Sequence, residues 1–229
     1  MFCSRCGAQI GPDARVCPQC GNLQGDVPVI APVVFVAPVG VKAQTGRWIS
    51  AGWHMVMADL GNYALVALIF TLVNSVASVV TQGPLQTGFH LHIMKRLFNR
   101  RSDIGDLFKG FDFFLPSFVA ALLIGVFVFA GTLLCVIPGL VVASMYKFTY
   151  LFILDKKMDF WPAMQASHEV VKNDYFGFTM FLIVMALINI LGFLCCIVGL
   201  LVTIPVSLAA ITIAYQEIVG FEQRTVDAL

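Results

Sequence analysis

Beyond residue 60 the chain alternates long apolar runs with short polar interruptions. Residues 62–82 carry no charged side chain and are long enough to cross a bilayer as a helix. Residues 84–99 continue apolar, but Gln86, His90, His92, Lys95 and Arg96 interrupt them. Residues 113–137 form a second clear span. Pro138-Gly139 breaks it and the apolar pattern resumes over 140–155. Residues 175–197 and 199–220 complete the series. Ahead of these runs, Trp48, Ile49, Trp53, Val56, Met57 and Leu60 recur at helical spacing among polar residues. That pattern predicts an amphipathic helix over 46–61 lying in the membrane interface, with its tryptophans at headgroup level.

The distribution of basic residues decides how many runs cross. Cytoplasmic loops carry the excess of Lys and Arg. Six crossings put both termini and the loops 95–112 and 155–174 on one side. That side then collects every Lys and Arg except Lys147, and the turns near 83, 137 and 198 carry no charge. The expectation is therefore six transmembrane helices, the second short or tilted.

Two of those turns match. Cys135-Val-Ile-Pro-Gly139-Leu140 aligns with Cys195-Cys-Ile-Val-Gly199-Leu200, and Gly83-Pro84-Leu85 is a fainter third copy. Each hairpin follows a segment of mixed polarity, at 46–61, 103–111 and 159–173. The pattern predicts three hairpin repeats in parallel orientation, an architecture that places sites at the repeat interfaces. The composition, 59% hydrophobic and 12% charged, agrees with a bilayer as solvent. A net charge of +1 gives no argument for nucleic acid as a partner. Cys135, Cys195 and Cys196 lie in apolar runs and read as packing residues.

The first residues belong to a different chemistry. Cys3-Ser-Arg-Cys6-Gly7 and Cys17-Pro-Gln-Cys20-Gly21 are two Cys-x-x-Cys turns, each followed by glycine. Two such turns supply the four thiolates of a tetrahedral zinc site, with Arg5 and Arg15 near enough in sequence to offset its charge. Two disulfides are the competing use of these cysteines, and a redox dithiol is a third. Residues 1–20 contain no apolar stretch of a secretory signal, and the duplicated turn suits metal better than redox chemistry. About twenty residues cannot build a core, so bound Zn2+ supplies the folding energy, about 10–16 kcal/mol apparent. With Cys3, Cys6, Cys17 and Cys20 as ligands the site is closed and structural. Between the ribbon and the membrane region, Pro28, Pro32 and Pro38 interrupt a valine-rich stretch and favour an extended linker.

The expected organisation is an all-α polytopic membrane bundle of about six helices with a small N-terminal zinc ribbon. Residues 1–22 form the ribbon, 23–45 a Pro/Val-rich linker, 46–222 the helical membrane domain and 223–229 a C-terminal tail. The ribbon looks like the zinc ribbons that open many bacterial proteins of diverse function. The Gly-Pro-Leu segment at 83–85, the Ile137-Pro138-Gly139 turn and the Trp161–Lys172 segment carry a second resemblance. By them the membrane region resembles an uncharacterised family of bacterial six-helix membrane proteins, and the membrane domain attached to some glycerophosphodiester phosphodiesterases. The expected location is a bacterial inner membrane, and the distribution of basic residues puts the ribbon in the cytoplasm. The resemblance brings no catalytic domain.

Candidate chemistry inside the bilayer is sparse. An ionisable side chain at membrane depth is costly and marks a functional position by default. Lys147 lies roughly 13 Å along a helix from Pro138, near the midplane, with Tyr146 and Tyr150 as neighbours. It reads as an anion or headgroup contact, or as a lysine packed against carbonyls. Gln86 and His90, four residues apart, share a helix face and line a polar cavity or bond backbone. His92 reads as a headgroup contact, Asn74 and Asn189 as interhelical hydrogen-bond formers, and Glu217 as interfacial. His168-Glu169 is a solvated pair. No phosphate loop, His-Glu-x-x-His or nucleophile elbow occurs, so the sequence favours a protein without enzymatic activity. Two functions lead, and a membrane enzyme whose site forms only in three dimensions is a weaker third. The favoured one is a regulatory or scaffolding membrane protein whose ribbon binds a cytosolic or membrane protein partner. The alternative is a transporter or lipid-handling protein using a polar site around Lys147. Membrane lipids are partners in both.

Overall fold

The computed structural model describes residues 35, 37–38, 40–195 and 198–229, and every regular element among them is helical. The ribbon cysteines Cys3, Cys6, Cys17 and Cys20, most of the linker, and Cys196 lie outside the described residues. Met1–Phe35 and Val36–Leu229 are separate compact units.

Helix α1 (Thr45–Ala58) is amphipathic, as its periodicity predicts, and meets the following helix at 101°. Its tryptophans divide. Trp53 is exposed, whereas Trp48 is buried against protein. Trp48 stacks on Phe178 and meets Phe181 edge to face, and its indole Nε1 donates to Glu217 at 2.6 Å. The indole N–H has a polar partner, so its ring is free to join the core.

Helix α2 spans Leu60–Leu97, 38 residues that would reach about 57 Å if straight. Three contacts exclude a straight helix. Asp59, its N-cap residue, is ion-paired with Arg96 near its other end. The Tyr63 ring lies 5.7 Å from that of His92, and Phe70 lies 5.6 Å from Phe89. α2 therefore folds back on itself between Phe70 and Phe89, where Val76, Val79 and Val80 stand exposed. The expected hairpin exists, but its tip precedes Gly83-Pro84, and the turn assigned to residues 83–85 is helical second arm. Glycine and proline break helices in water yet are tolerated in membrane helices. Here the missing Cβ serves close approach. A Cβ on Gly83 would lie 2.2 Å from the Ser117 carbonyl oxygen, and one on Gly88 1.9 Å from that of Leu107.

After α2 come α3 (Asp106–Lys109), a 3-10 turn at Gly110–Phe113, and α4 (Phe114–Leu134). Then follow α5 (Val136–Met145), α6 (Thr149–Lys156), α7 (Phe160–Val171), α8 (Tyr175–Leu194), α9 (Leu200–Ile218) and the short α10 (Gln223–Asp227). α4 reverses into α5 through Cys135, and α8 into α9 near Cys195. Cys135 and Cys195 are exposed in these turns rather than packed. In both hairpins a glycine of each arm meets its counterpart. A Cβ on Gly131 would touch Gly139 at 3.1 Å, and one on Gly199 would lie 2.3 Å from the Gly192 carbonyl oxygen.

The number of spans departs from six. Asp106–Leu134, Val136–Lys156, Tyr175–Leu194 and Leu200–Ile218 are long and apolar enough to cross a membrane. A fifth is added when α1 and the first part of α2 count as one bent span. The second arm of α2 falls short because Gln82, Gln86, His90, His92, Lys95 and Arg96 interrupt it. Of these, His90, His92 and Lys95 are sheltered by protein, beside the buried Leu85, Phe89, Ile93 and Met94, whereas Gln82 is exposed.

The three units are arranged cyclically. α3 packs on α2, α7 on α6 and α5, and α1 on α9. In each case the short helix of one unit covers the second arm of the preceding one, and α1 closes the ring. Two first arms follow the same rule, α4 on α2 and α8 on α5, and α2 also packs on α9. Polar clasps mark the seams. Asp106 of α3 accepts from Lys95 at 2.6 Å and from Lys109 at 2.7 Å, and Arg47 of α1 pairs with Glu217 of α9. The C-terminal residues, read as a tail, are also held. Buried Asp155 accepts from Tyr215 at 3.0 Å and from the Glu222 amide at 2.8 Å, and the Thr225 hydroxyl donates to the Asp155 carbonyl.

Candidate functional site

The second arm of the middle unit is not a continuous helix. α5 ends at Met145 and α6 begins at Thr149, with Tyr146, Lys147 and Phe148 in tight turns between them. Ser167, on the buried face of α7, explains the break. Its hydroxyl donates to the Met145 carbonyl at 2.6 Å and accepts from the Phe148 amide at 3.1 Å. A side chain inserted into the helical ladder kinks or interrupts it. Broken helices at membrane depth occur where backbone is buried in protein or lines a cavity. Ser167→Ala leaves the Phe148 amide without its acceptor. The expected cost is about 1–3 kcal/mol, read as an earlier midpoint in denaturant titration of the detergent-solubilised chain. An unchanged midpoint would show that the break does not depend on Ser167.

The break sets Lys147 on a cavity of about 150 Å³. Gln82, Gln86 and His90 of α2 line it, together with Tyr146, Lys147 and Tyr150 of the α5–α6 arm and Leu208 and Ile211 of α9. Lys147 and the pair Gln86 and His90, candidates from the sequence, are thus brought to the same space. That space lies among the second arms of all three units. His90 Nδ1 is 2.8 Å from Thr212 Oγ1, whose own proton goes to the Leu208 carbonyl. Thr212 must then accept, so Nδ1 carries the hydrogen and Nε2 is the acceptor of the neutral ring. No carboxylate lines the cavity, and among the described residues none is ion-paired with Lys147. One ammonium, two amides and two phenols around an acceptor nitrogen suit an anion that also carries a hydroxyl.

Other polar residues have structural partners. His92 is buried by protein rather than open to headgroup contact, with Nδ1 3.3 Å from the Asp103 carbonyl. Asn189 joins α8 to α9 through the Ser207 hydroxyl at 2.7 Å, whereas Asn74 accepts from Thr81 within α2. His168 bonds Tyr175, and Glu169 pairs with Lys172, both on the surface. A larger cavity of about 310 Å³ gathers Lys109, Lys156, Lys157 and Arg224 with Asp112, Asp155 and Glu222. The Arg224 guanidinium, bonded to Glu222, holds that carboxyl below its usual range. Sequence reasoning missed Ser167 and Thr212. The available signal was a single hydroxyl within an otherwise apolar helix face, since Ala163, Val170 and Val171 flank Ser167 and Leu208 and Ala209 precede Thr212.

The arrangement defines a class: a helical membrane protein carrying an N-terminal zinc-ribbon domain. Residues 2–23 match the zinc-ribbon domain family, and the match contains all four expected ligands. Four cysteine thiolates in two Cys-x-x-Cys turns are the soft donor set of closed structural zinc sites. The chain is also similar to uncharacterized proteins of Mycobacterium bovis and of two Mycobacterium tuberculosis strains. Each is 32% identical over 102 residues. That alignment covers 44% of this chain and only 31% of each relative. No solved structure matches. Neither the family match nor these relatives carry the resemblance to the phosphodiesterase membrane domain.

Proposed function

We propose that this is a bacterial inner-membrane protein whose helical bundle binds an anionic ligand in the cavity at Lys147, as a lipid-handling or transport protein. The observation that carries this reading is the convergence of Lys147 from the α5–α6 arm with His90 and Gln86 from α2 on a cavity without a carboxylate. An unpaired ammonium in the bundle interior is costly, and a bound anion offsets that cost. A ligand that binds only the folded state at one hundred times its Kd stabilises it by about 2.7 kcal/mol. The test is thermal unfolding of the detergent-solubilised full chain with inorganic phosphate and with short-chain phosphatidylglycerol. The wild type is expected to gain stability with at least one of them, and Lys147→Met is expected to gain none. Equal responses of the two proteins would contradict the reading.

A second reading concerns the ribbon. We infer that it lies in the cytoplasm, holds structural Zn2+ through Cys3, Cys6, Cys17 and Cys20, and recruits a protein partner to the membrane. The match over residues 2–23 and its four-cysteine donor set support a structural binding module over a catalytic one. The same chain can thus join a ligand-binding bundle to a regulatory or scaffolding arm.

A further inference from the structure

The polar cavity has an apolar neighbour. A groove of about 330 Å³ runs between α2 and α4, lined by Val79, Gln82, Ala121, Leu122, Gly125, Val126 and Phe129. Gln82 lines both spaces, and Ile124 of the same stretch of α4 lines the polar one. Leu122, Val126 and Phe129 are exposed on a helix apolar enough to span the membrane, so the groove opens where acyl chains lie. At its wall Gly125 leaves a notch, since a Cβ there would meet nothing within 4 Å.

We propose that the two spaces form one site for an anionic phospholipid with a hydroxyl-bearing headgroup, such as phosphatidylglycerol. Its phosphate pairs with the Lys147 ammonium, and a headgroup hydroxyl donates to His90 Nε2. Gln82 and Gln86 supply amide donors, and one acyl chain leaves past Gln82 to lie along Gly125. The charge supports this occupant, because the cavity holds an ammonium and no counter-charge. Continuity supports it too, because a free anion would have no use for an apolar extension sharing a wall with its site. A zwitterionic headgroup brings its own ammonium group, which the cavity has no carboxylate to receive.

This inference rests on the anion-binding reading above, and the experiment separates the two. Native mass spectrometry of the detergent-solubilised full chain is run with phosphatidylglycerol and with phosphatidylcholine of identical acyl chains. Stabilisation by inorganic phosphate is measured beside it. The wild type is expected to retain phosphatidylglycerol over phosphatidylcholine by about tenfold or more, a difference of 1.4 kcal/mol. Lys147→Met is expected to lose that preference and any response to phosphate. Gly125→Phe, which fills the notch, is expected to bind phosphatidylglycerol about tenfold more weakly while its phosphate response stays that of the wild type. Val126→Trp narrows the same groove and serves if Gly125→Phe does not fold. Undiminished lipid binding by the groove variants would overturn the inference and leave the anion site standing. Wild-type behaviour of Lys147→Met toward both ligands would overturn both.

Discussion

Replacing Cys3, Cys6, Cys17 and Cys20 by serine is expected to abolish zinc binding and unfold residues 2–23, while the helical bundle keeps its structure. Serine hydroxyls do not replace thiolates as zinc ligands in such sites, so no partial site survives. The match to a zinc-ribbon domain covers about twenty residues, too few to build a hydrophobic core. The metal therefore carries the fold, with about 10–16 kcal/mol of apparent binding energy at stake, and chelation should act like the mutation. Val36–Leu229 forms its own compact unit, so its unfolding midpoint should not move. Metal analysis of the purified chain should give one zinc in the wild type and none in the variant. Limited proteolysis should cut the variant within its first residues. If the ribbon also recruits a partner, crosslinked pull-down from native membranes loses that partner in the variant at equal abundance. One zinc per chain in the serine variant would contradict the ligand assignment.

Gly88→Val is expected to prevent folding of the bundle. The added Cβ would sit 1.9 Å from the Leu107 carbonyl oxygen, and the obstructing atom is backbone, which cannot swing aside. Gly110 meets the same seam from the other side, its Cβ position lying 2.0 Å from the Pro84 carbonyl oxygen and 2.4 Å from the Gly88 nitrogen. Relief requires α3 to leave α2. That exposes Leu107, which is fully buried, and separates Asp106 from Lys95 in a buried ion pair. Breaking such a pair alone costs about 3–5 kcal/mol, so the sum places the variant in the exceptional class above about 4–5 kcal/mol. Little folded protein should be recovered by size exclusion in detergent. Gly105→Ala is the control, because nothing lies within 4 Å of its Cβ position, and it should change stability by no more than about 0.5 kcal/mol. Normal recovery of Gly88→Val would show that α3 does not pack against α2 as described.

Much of this fold is legible in the sequence because it rests on local signals. The Cys135 and Cys195 turns interrupt long apolar runs, and the chain reverses there. The amphipathic period of 46–61 appears as α1, and Asp174 caps α8 by accepting from the Gly177 amide at 2.9 Å. The first hairpin is displaced because Gly83-Pro84 is a breaker by local rules. Its glycine is instead spent on contact with Ser117, far along the chain. Trp48 and His92 defeat the same kind of rule. Interfacial residues by type, they are buried because Glu217 and the Asp103 carbonyl, remote in sequence, give them partners. At the cavity, Lys147, His90 and Gln86 stand out as polar residues in apolar runs. What they share cannot be read locally, since it depends on three second arms meeting and on Ser167 opening the α5–α6 helix.

The claim that Lys147 serves a ligand rather than packing is tested most directly by an experimental structure of the full chain in phosphatidylglycerol nanodiscs. The account predicts a lipid phosphate oxygen within about 2.7–3.2 Å of Lys147 Nζ and an acyl chain passing Gly125. A Lys147 ammonium bonded only to protein carbonyls or a carboxylate, with no phosphate in the cavity, would contradict it.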